Sequence, residues 1–451
     1  MMTSILDRFR ALSRNARLYL ISNAIQAVTA GALAVIYTLY LSALGYSTSF
    51  IGLVLLIATI GGGLGIVPSQ PLVNRFGWRT MLIWSDLVGG VAIFLQLVLP
   101  TPPVLIVTSL AIGASVAIVL VINTPFLAAN STPRDRTALF GLNNAIQFLA
   151  SIIGSLLGGA LPAWFVSAQV SDSGLLHALS PLLVSDAQAR GYQLALLVIG
   201  TLATPSIIPI FLIREQPRAS AASSGVTHHW RIRLGIWRAQ VAAGIRGVIG
   251  RFGLFQVLLG FGAGLWFPYF NIYIVQHLGG STTFYGVLTA TATVLLALAS
   301  LIAAPLADRF GKVPTIVVSH LSALPFLVLM GAVPVLAVVS AAYLIRNTLA
   351  NISGPPLQAF LMEEVPERQR VTANGVYNVS WQIAWAIGAG AGGLIVGWLG
   401  FQAPMLIAVV FYGSAVALFA RFFWRSGREP DADKSPHADA ALPDSEYSTS
   451  D

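Results

Sequence analysis

The sequence predicts an all-α membrane protein in which twelve transmembrane helices form two six-helix parallel repeats. Three observations lead there. Hydrophobic residues make up 56% of the chain and charged residues only 9%, against about 25% charged in ordinary soluble proteins. So few charges cannot cover a water-facing surface, and lipid must be the solvent for most of it. Twelve apolar stretches are each long enough to cross a bilayer, and one constant offset relates the first six to the last six.

A membrane helix needs roughly 20 predominantly apolar residues. Such stretches lie near 18–44, 49–72, 80–100, 104–129, 137–166, 191–213, 250–277, 283–307, 313–333, 335–362, 371–399 and 401–424. Arg8, Arg10, Arg14 and Arg17 precede the first, whose apolar run to about Leu44 is too long for a signal-peptide core. Arg75 and Arg79 fall between spans 2 and 3, and Arg134 and Arg136 between 4 and 5. Seven arginines from Arg214 to Arg251 surround the central loop, Arg309 and Lys312 follow span 8, and Arg368 and Arg370 follow span 10. Arg421, Arg425, Arg428 and Lys434 close the chain. Twelve crossings put all of these on one side, leaving Arg190 opposite and Arg346 inside a span. By the positive-inside rule both termini are expected in the cytoplasm, in a multi-pass protein of the bacterial inner (plasma) membrane. The net charge of +8 follows from this topology and does not point to nucleic acid.

An offset of 234 residues aligns the halves. Leu44-Gly45-Tyr46-Ser47-Thr48-Ser49-Phe50-Ile51-Gly52 matches Leu278-Gly279-Gly280-Ser281-Thr282-Thr283-Phe284-Tyr285-Gly286. Pro71-Leu72-Val73-Asn74-Arg75-Phe76-Gly77 matches Pro305-Leu306-Ala307-Asp308-Arg309-Phe310-Gly311. Arg136, Gly141 and Asn144 match Arg370, Gly375 and Asn378; Gly154, Gly158 and Gly159 match Gly388, Gly392 and Gly393. Six spans per half make the repeats parallel, an arrangement suited to alternating access with substrate near the midplane. The implied organisation is an N-terminal bundle over 1–213, a linker with an amphipathic helix over 214–249, a C-terminal bundle over 250–424 and a disordered tail over 425–451. In the linker Trp230, Leu234, Trp237, Val241, Ile245 and Val248 make one apolar helical stripe, as expected of an interfacial helix on an anionic leaflet.

These residues resemble the major facilitator superfamily. Its loop after span 2 reads Gly-x-x-x-Asp-Arg-x-Gly-Arg/Lys, and Asp308-Arg309-Phe310-Gly311-Lys312 is similar to it. The first-half copy departs from it, with Asn74 in place of the acid and Gln70 in place of the leading glycine, ahead of Arg75, Gly77 and Arg79. The resemblance implies a conformational latch at this end, joined by Glu363, Glu364 and Arg370, in which a carboxylate pairs with a nearby cation or accepts N–H bonds at a helix start. Ala150-x-x-x-Gly154-Ser155-x-x-Gly158-Gly159 is similar to the family's antiporter motif, with Ala150 and Ser155 replacing a glycine and a proline. Two readings stay open for these glycines and their mates: close helix packing in lipid, or a drug/proton antiporter-like exporter.

An ionisable group inside a span is a functional candidate by default. Arg346 in the tenth span would contact a substrate anion, a cluster of carbonyls or an acid. Asp86 in the third span and its repeat mate His320 in the ninth are the proton-coupling candidates. Neutral polar and aromatic groups crowd spans 1, 5, 7 and 11; Asn23, Gln26, Tyr269, Asn271, Asn378, Trp381 and Gln382 are the substrate-contact candidates among them. Pro268, Pro325, Pro355 and Pro356 are expected to kink their helices, which is tolerated where protein or a cavity re-satisfies the backbone.

The chain has no cysteine, and no metal-ligand spacing, phosphate-binding loop or nucleophile motif is present, so no cofactor or metal is expected. The reading is a secondary active transporter of a small organic solute by alternating access, exporting amphipathic compounds with proton coupling. Uptake or facilitated transport of a sugar or organic anion is the alternative, and a polytopic enzyme or a transporter-like receptor are further ones. Its expected partners are the small-molecule substrate, the bilayer and protons, with the chain acting as a monomer.

Overall fold

The computed structural model describes residues 12–132, 135–167, 182–214 and 247–424. Arg8, Arg10, Arg134, most of the amphipathic stripe expected over 225–249, and the tail lie outside the described residues. The helices are α1 Arg14–Ala43, α2 Thr48–Phe76, α3 Trp78–Val98, α4 Pro102–Ala129, α5 Arg136–Ser167 and α6 Ala187–Ala203. The second half contains α7 Val248–Trp266, α8 Thr282–Phe310, α9 Lys312–Ala332, α10 Leu336–Ile352 with its continuation Gly354–Glu364, α11 Arg370–Leu399 and α12 Gln402–Phe423.

Proline accounts for the irregular helices. After α6 a 3₁₀ turn at Thr204–Ser206, containing Pro205, leads into Ile207–Phe211. After α7, Pro268 starts a 3₁₀ turn at Phe267–Tyr269, and the helix resumes through Phe270–Ile272 into a π turn at Tyr273–His277. With these turns counted as continuations, eleven helices among the described residues are long and apolar enough to cross a bilayer. The tenth span is the exception: it breaks at Ser353, because Pro355 and Pro356 have no N–H to return to the preceding turn. The broken turn is partly re-satisfied by Ser353, whose hydroxyl donates to the Ala350 carbonyl at 2.7 Å and lies 2.9 Å from His320 Nε2.

Local geometry repeats with the sequence. The Ser47 hydroxyl caps α2 by accepting from Phe50 N, and its mate Ser281 caps α8 by accepting from Phe284 N. Gly77 (φ 91°) and its mate Gly311 (φ 87°) turn the chain between helices in the left-handed region, where a Cβ would be strained. The Arg75 guanidinium lies over Phe76 and that of its mate Arg309 over Phe310.

Within the first half α1 packs on α5 and α6, and α2 on α4; within the second, α7 packs on α11 and α12. Between the halves the broad contacts are α2 with α11 and α5 with α8, pairs that the repeat interchanges. Large apolar residues such as Leu301 (74% exposed) and Trp398 (80% exposed) cover the outside, as a lipid-facing surface requires. One end of the helices carries Arg14, Arg75, Arg79, Arg309 and Lys312 and is called the basic end here; the other is the distal end.

Candidate functional site

The two halves meet tightly at the distal end. A Cβ on Gly159 would come within 2.8 Å of Gly286 Cα, and one on Gly286 within 2.6 Å of Ser155 O. The repeat maps this pair onto Gly393 and Gly52, where a Cβ would come within 2.3 Å of Thr48 O and 2.9 Å of Ala389 O respectively. Hydrogen bonds follow the same symmetry. Thr283 Oγ1 donates to Gly159 O at 3.2 Å, and its mate Ser49 Oγ donates to Gly393 O at 3.3 Å. Ser42 and Gln276, themselves repeat mates, hydrogen-bond at 2.8 Å, so this contact lies near the pseudo-two-fold axis. Asn271 Nδ2 donates to Val35 O at 2.9 Å and to Thr38 Oγ1 at 2.6 Å.

Asn144 on α5 and its mate Asn378 on α11 are exposed well inside their helices, as is Gln382. Amide groups at membrane depth need water or protein partners, not lipid. These positions lie nearer the basic end than the glycine contacts, and the Asn378 amide finds its partners on Asn374 one turn away.

The structure distributes the expected substrate contacts among different environments. Tyr269 and Asn271 are buried in the distal seam; the Tyr269 hydroxyl donates to Ala389 O at 2.5 Å, between Gly52 and Gly393. In this conformation they are part of the closed seam. Asn378, Trp381 and Gln382 lie on α11; Asn378 Nδ2 donates to Asn374 O at 2.9 Å, and Trp381 O faces Gly260 of α7. Asn23 donates to Asn143 Oδ1 at 3.0 Å.

Gln26 and Asp86 come together. The Gln26 amide nitrogen lies 3.0 Å from each Asp86 carboxylate oxygen. With Tyr19, which donates to Asn123 Oδ1 at 3.2 Å, they belong to a polar seam of neutral groups in the first half around one acid. His320 does not share that site. It is buried between α9 and the break in α10, with Phe255 edge-on at 5.9 Å.

Arg346 is 7% exposed, and its guanidinium lies over the rings of Trp266 (5.2 Å) and Tyr412 (4.7 Å). No acid or carbonyl pairs with it, so two of the three partner types expected from the sequence are absent among the described residues.

At the basic end Lys312 Nζ and Glu363 form an ion pair at 2.5 Å, and Arg370 Nε donates to Met362 O at 3.0 Å. Asn74 and Asp308 are exposed, and Arg79 carries a buried Nε without a partner among the described residues. The glycine motif serves two kinds of contact. Gly154 and Gly158 face Val28 and Ala32 of α1, and Gly388 and Gly392 face Phe261 and Leu265 of α7, while Gly159 and Gly393 face the other half.

A family profile described as Major Facilitator Superfamily matches residues 19–266 and 252–444. The chain belongs to the Major Facilitator Superfamily. That membership makes it a multi-pass membrane transporter of small solutes and not an enzyme. The superfamily fold is evident in solved structures. The bacterial homologue of the human lysosomal transporter Spinster, in its inward-facing and unoccupied conformation, matches with TM-score 0.72 at 15% identity over 92% of this chain and 98% of that one. The D323A mutant of the nucleoside transporter NupG matches with TM-score 0.71 at 14% identity over 91% and 100%. Likeness at such identities is one of fold. A tetracycline resistance protein, class C, from Escherichia coli is 27% identical over 139 residues; the match spans 31% of this chain and 35% of that protein.

Seam residues such as Thr38, Ser42 and Gln276, and the ring of Tyr412 over Arg346, are not prominent in the sequence. Gly52 and Gly286 stand in the repeat alignment, but alignment does not say which helix each one faces.

Proposed function

We propose that this chain is a proton-coupled secondary transporter that exports amphipathic compounds by alternating access. Bundles over 1–213 and 250–424 rock about the midplane, and both termini lie in the cytoplasm of a bacterial inner membrane. The observation that carries the reading is the asymmetry between the two ends: repeat-related glycine contacts seal the distal end, while the repeat mates Asn144 and Asn378 are exposed on the other side. With the basic end cytoplasmic, this is the inward-open state of the cycle.

Asp86 is the group we assign to proton coupling. It is a carboxylate inside a span, held by the neutral amide of Gln26 and not by a cation. Its protonation therefore leaves no buried positive charge unpaired. The Lys312–Glu363 pair and the loop carrying Asp308 and Arg309 act as the latch at the cytoplasmic end. The name of the tetracycline resistance protein supports export. Uptake is the second reading, prompted by the fold likeness to a D-xylose–proton symporter.

The test is proton flux in inverted membrane vesicles, read with a pH-sensitive dye against a panel of amphipathic drugs, sugars and organic anions. Release of a preformed gradient by a compound, only when the protein is present, supports export and names the substrate class. No release by any of them, with substrate entry in whole cells, replaces export with uptake.

A further inference from the structure

We propose that Arg346 and Trp266 form a subsite that holds the carboxylate of an aromatic organic acid. The inference rests on the transporter reading and narrows its substrate class.

A charge kept inside a membrane span is costly unless it is paired or hydrogen-bonded. Among the described residues Arg346 has neither kind of partner. Its guanidinium carbon lies over the rings of Trp266 and Tyr412. A cation–π contact supplies no hydrogen-bond acceptor in line with the N–H groups, and a guanidinium has five donors in a fixed fork. No carboxylate among the described residues lies within pairing distance of it.

Trp266 supplies the second, independent observation. It is 1% exposed, and its Nε1 is a buried donor with no acceptor among the described residues. One cation and one N–H donor, on residues in contact, therefore lack acceptors among the described residues in the same region of the second half. A carboxylate meets both requirements. Its two oxygens match the guanidinium fork, and a remaining lone pair can accept from the indole.

The surroundings specify the rest of the ligand. Phe270 lies 4.5 Å from Tyr343 with the two rings tilted by 32°, and Tyr343, one turn from Arg346 on α10, meets the Trp266 ring edge-on at 6.4 Å. These rings suit a flat apolar body. The titratable groups nearby are Tyr343, Tyr412 and His320, none of them an acid, so a cationic compound finds no counter-charge here.

Equilibrium dialysis of the purified full-length protein tests the subsite, with naphthoate and naphthamide as probes that share one ring system and differ in charge. Naphthoate is expected to bind about tenfold or more tightly than naphthamide, and Arg346→Gln to remove that preference. Trp266→Phe, which keeps a ring and deletes the N–H, is expected to weaken naphthoate several-fold and leave naphthamide unchanged; it also tests the subsite should Arg346→Gln fail to fold. Excess chloride is expected not to displace naphthoate. Equal binding of the two probes, wild-type binding by a folded Arg346→Gln, displacement by chloride, or no naphthoate binding at all would each overturn the proposal. Proton flux driven by neutral or cationic amphipathic compounds separates the two readings: if it persists while naphthoate fails to bind, the transporter reading stands and the anion subsite falls.

Discussion

Adding one methyl group to the distal seam should move the conformational equilibrium. In Gly159→Ala the new Cβ would lie 2.8 Å from Gly286 Cα and 2.9 Å from Thr282 O. Carbon atoms in ordinary contact sit about 3.5–4.0 Å apart, so the seam must open by roughly 0.7–1.2 Å. Overpacking of this kind costs about 1–3 kcal/mol. The cost falls only on the state in which the seam is closed, so the ratio of the two access states should shift about 5–150-fold toward distal opening. The chain has no cysteine, so single reporters are available without background. In Gly159→Ala, labelling of Asn144→Cys by a membrane-impermeant maleimide from the basic side should slow, and labelling of Ser42→Cys from the distal side should quicken. Gly393→Ala, at the repeat-related contact, should act the same way. Gly154→Ala is the control. Its Cβ would meet Val28 O at 2.0 Å within one half, so it should lower the melting temperature without changing the labelling ratio. A well-folded Gly159→Ala with both labelling rates unchanged, or with both raised together, would refute the reasoning.

Asp86→Asn keeps the size of the side chain and removes its proton site. Substrate exchange across vesicles with no pH gradient should survive, while gradient-driven accumulation should be lost; retained accumulation would move proton coupling elsewhere. Asn271→Leu leaves Val35 O and Thr38 Oγ1 without their buried donor, which should cost about 1–3 kcal/mol in the closed seam. Distal labelling at Ser42→Cys should rise accordingly. The partners of the Lys312–Glu363 pair are 29% and 51% exposed, so Lys312→Ala should change stability by less than about 1 kcal/mol. Its effect should appear in transport rate instead, and the double reversal Lys312→Glu with Glu363→Lys should restore that rate.

What could be read directly was whatever depends on a segment and its solvent. Span length follows from bilayer thickness, and the side on which Arg75, Arg309 and Lys312 fall follows from counting crossings. The turns at Gly77 and Gly311 are marked by the glycine each needs, and the caps at Ser47 and Ser281 by the hydroxyl each uses. Pro355 and Pro356 marked a disturbance of the tenth helix but not that it breaks at Ser353 beneath His320. The 234-residue offset carried the two-fold organisation.

Partners are another matter. Asp86 and His320 occupy equivalent positions, yet one meets Gln26, sixty residues away in sequence, and the other meets Ser353 beside a helix break. Tyr269 and Asn271 look like wall residues of a binding site and instead close the distal seam. Arg346 announced itself as an expensive buried charge, but nothing in its neighbourhood of sequence points to Trp266 and Tyr412. Each residue turns about 100° around a helix axis, so a small change in the rotation or tilt of one helix exchanges one partner for another. Composition, repeat and topology are sums over local chemistry and are determined by the sequence alone. Which faces meet, and which end of the transporter is sealed, is decided only when all the helices pack at once.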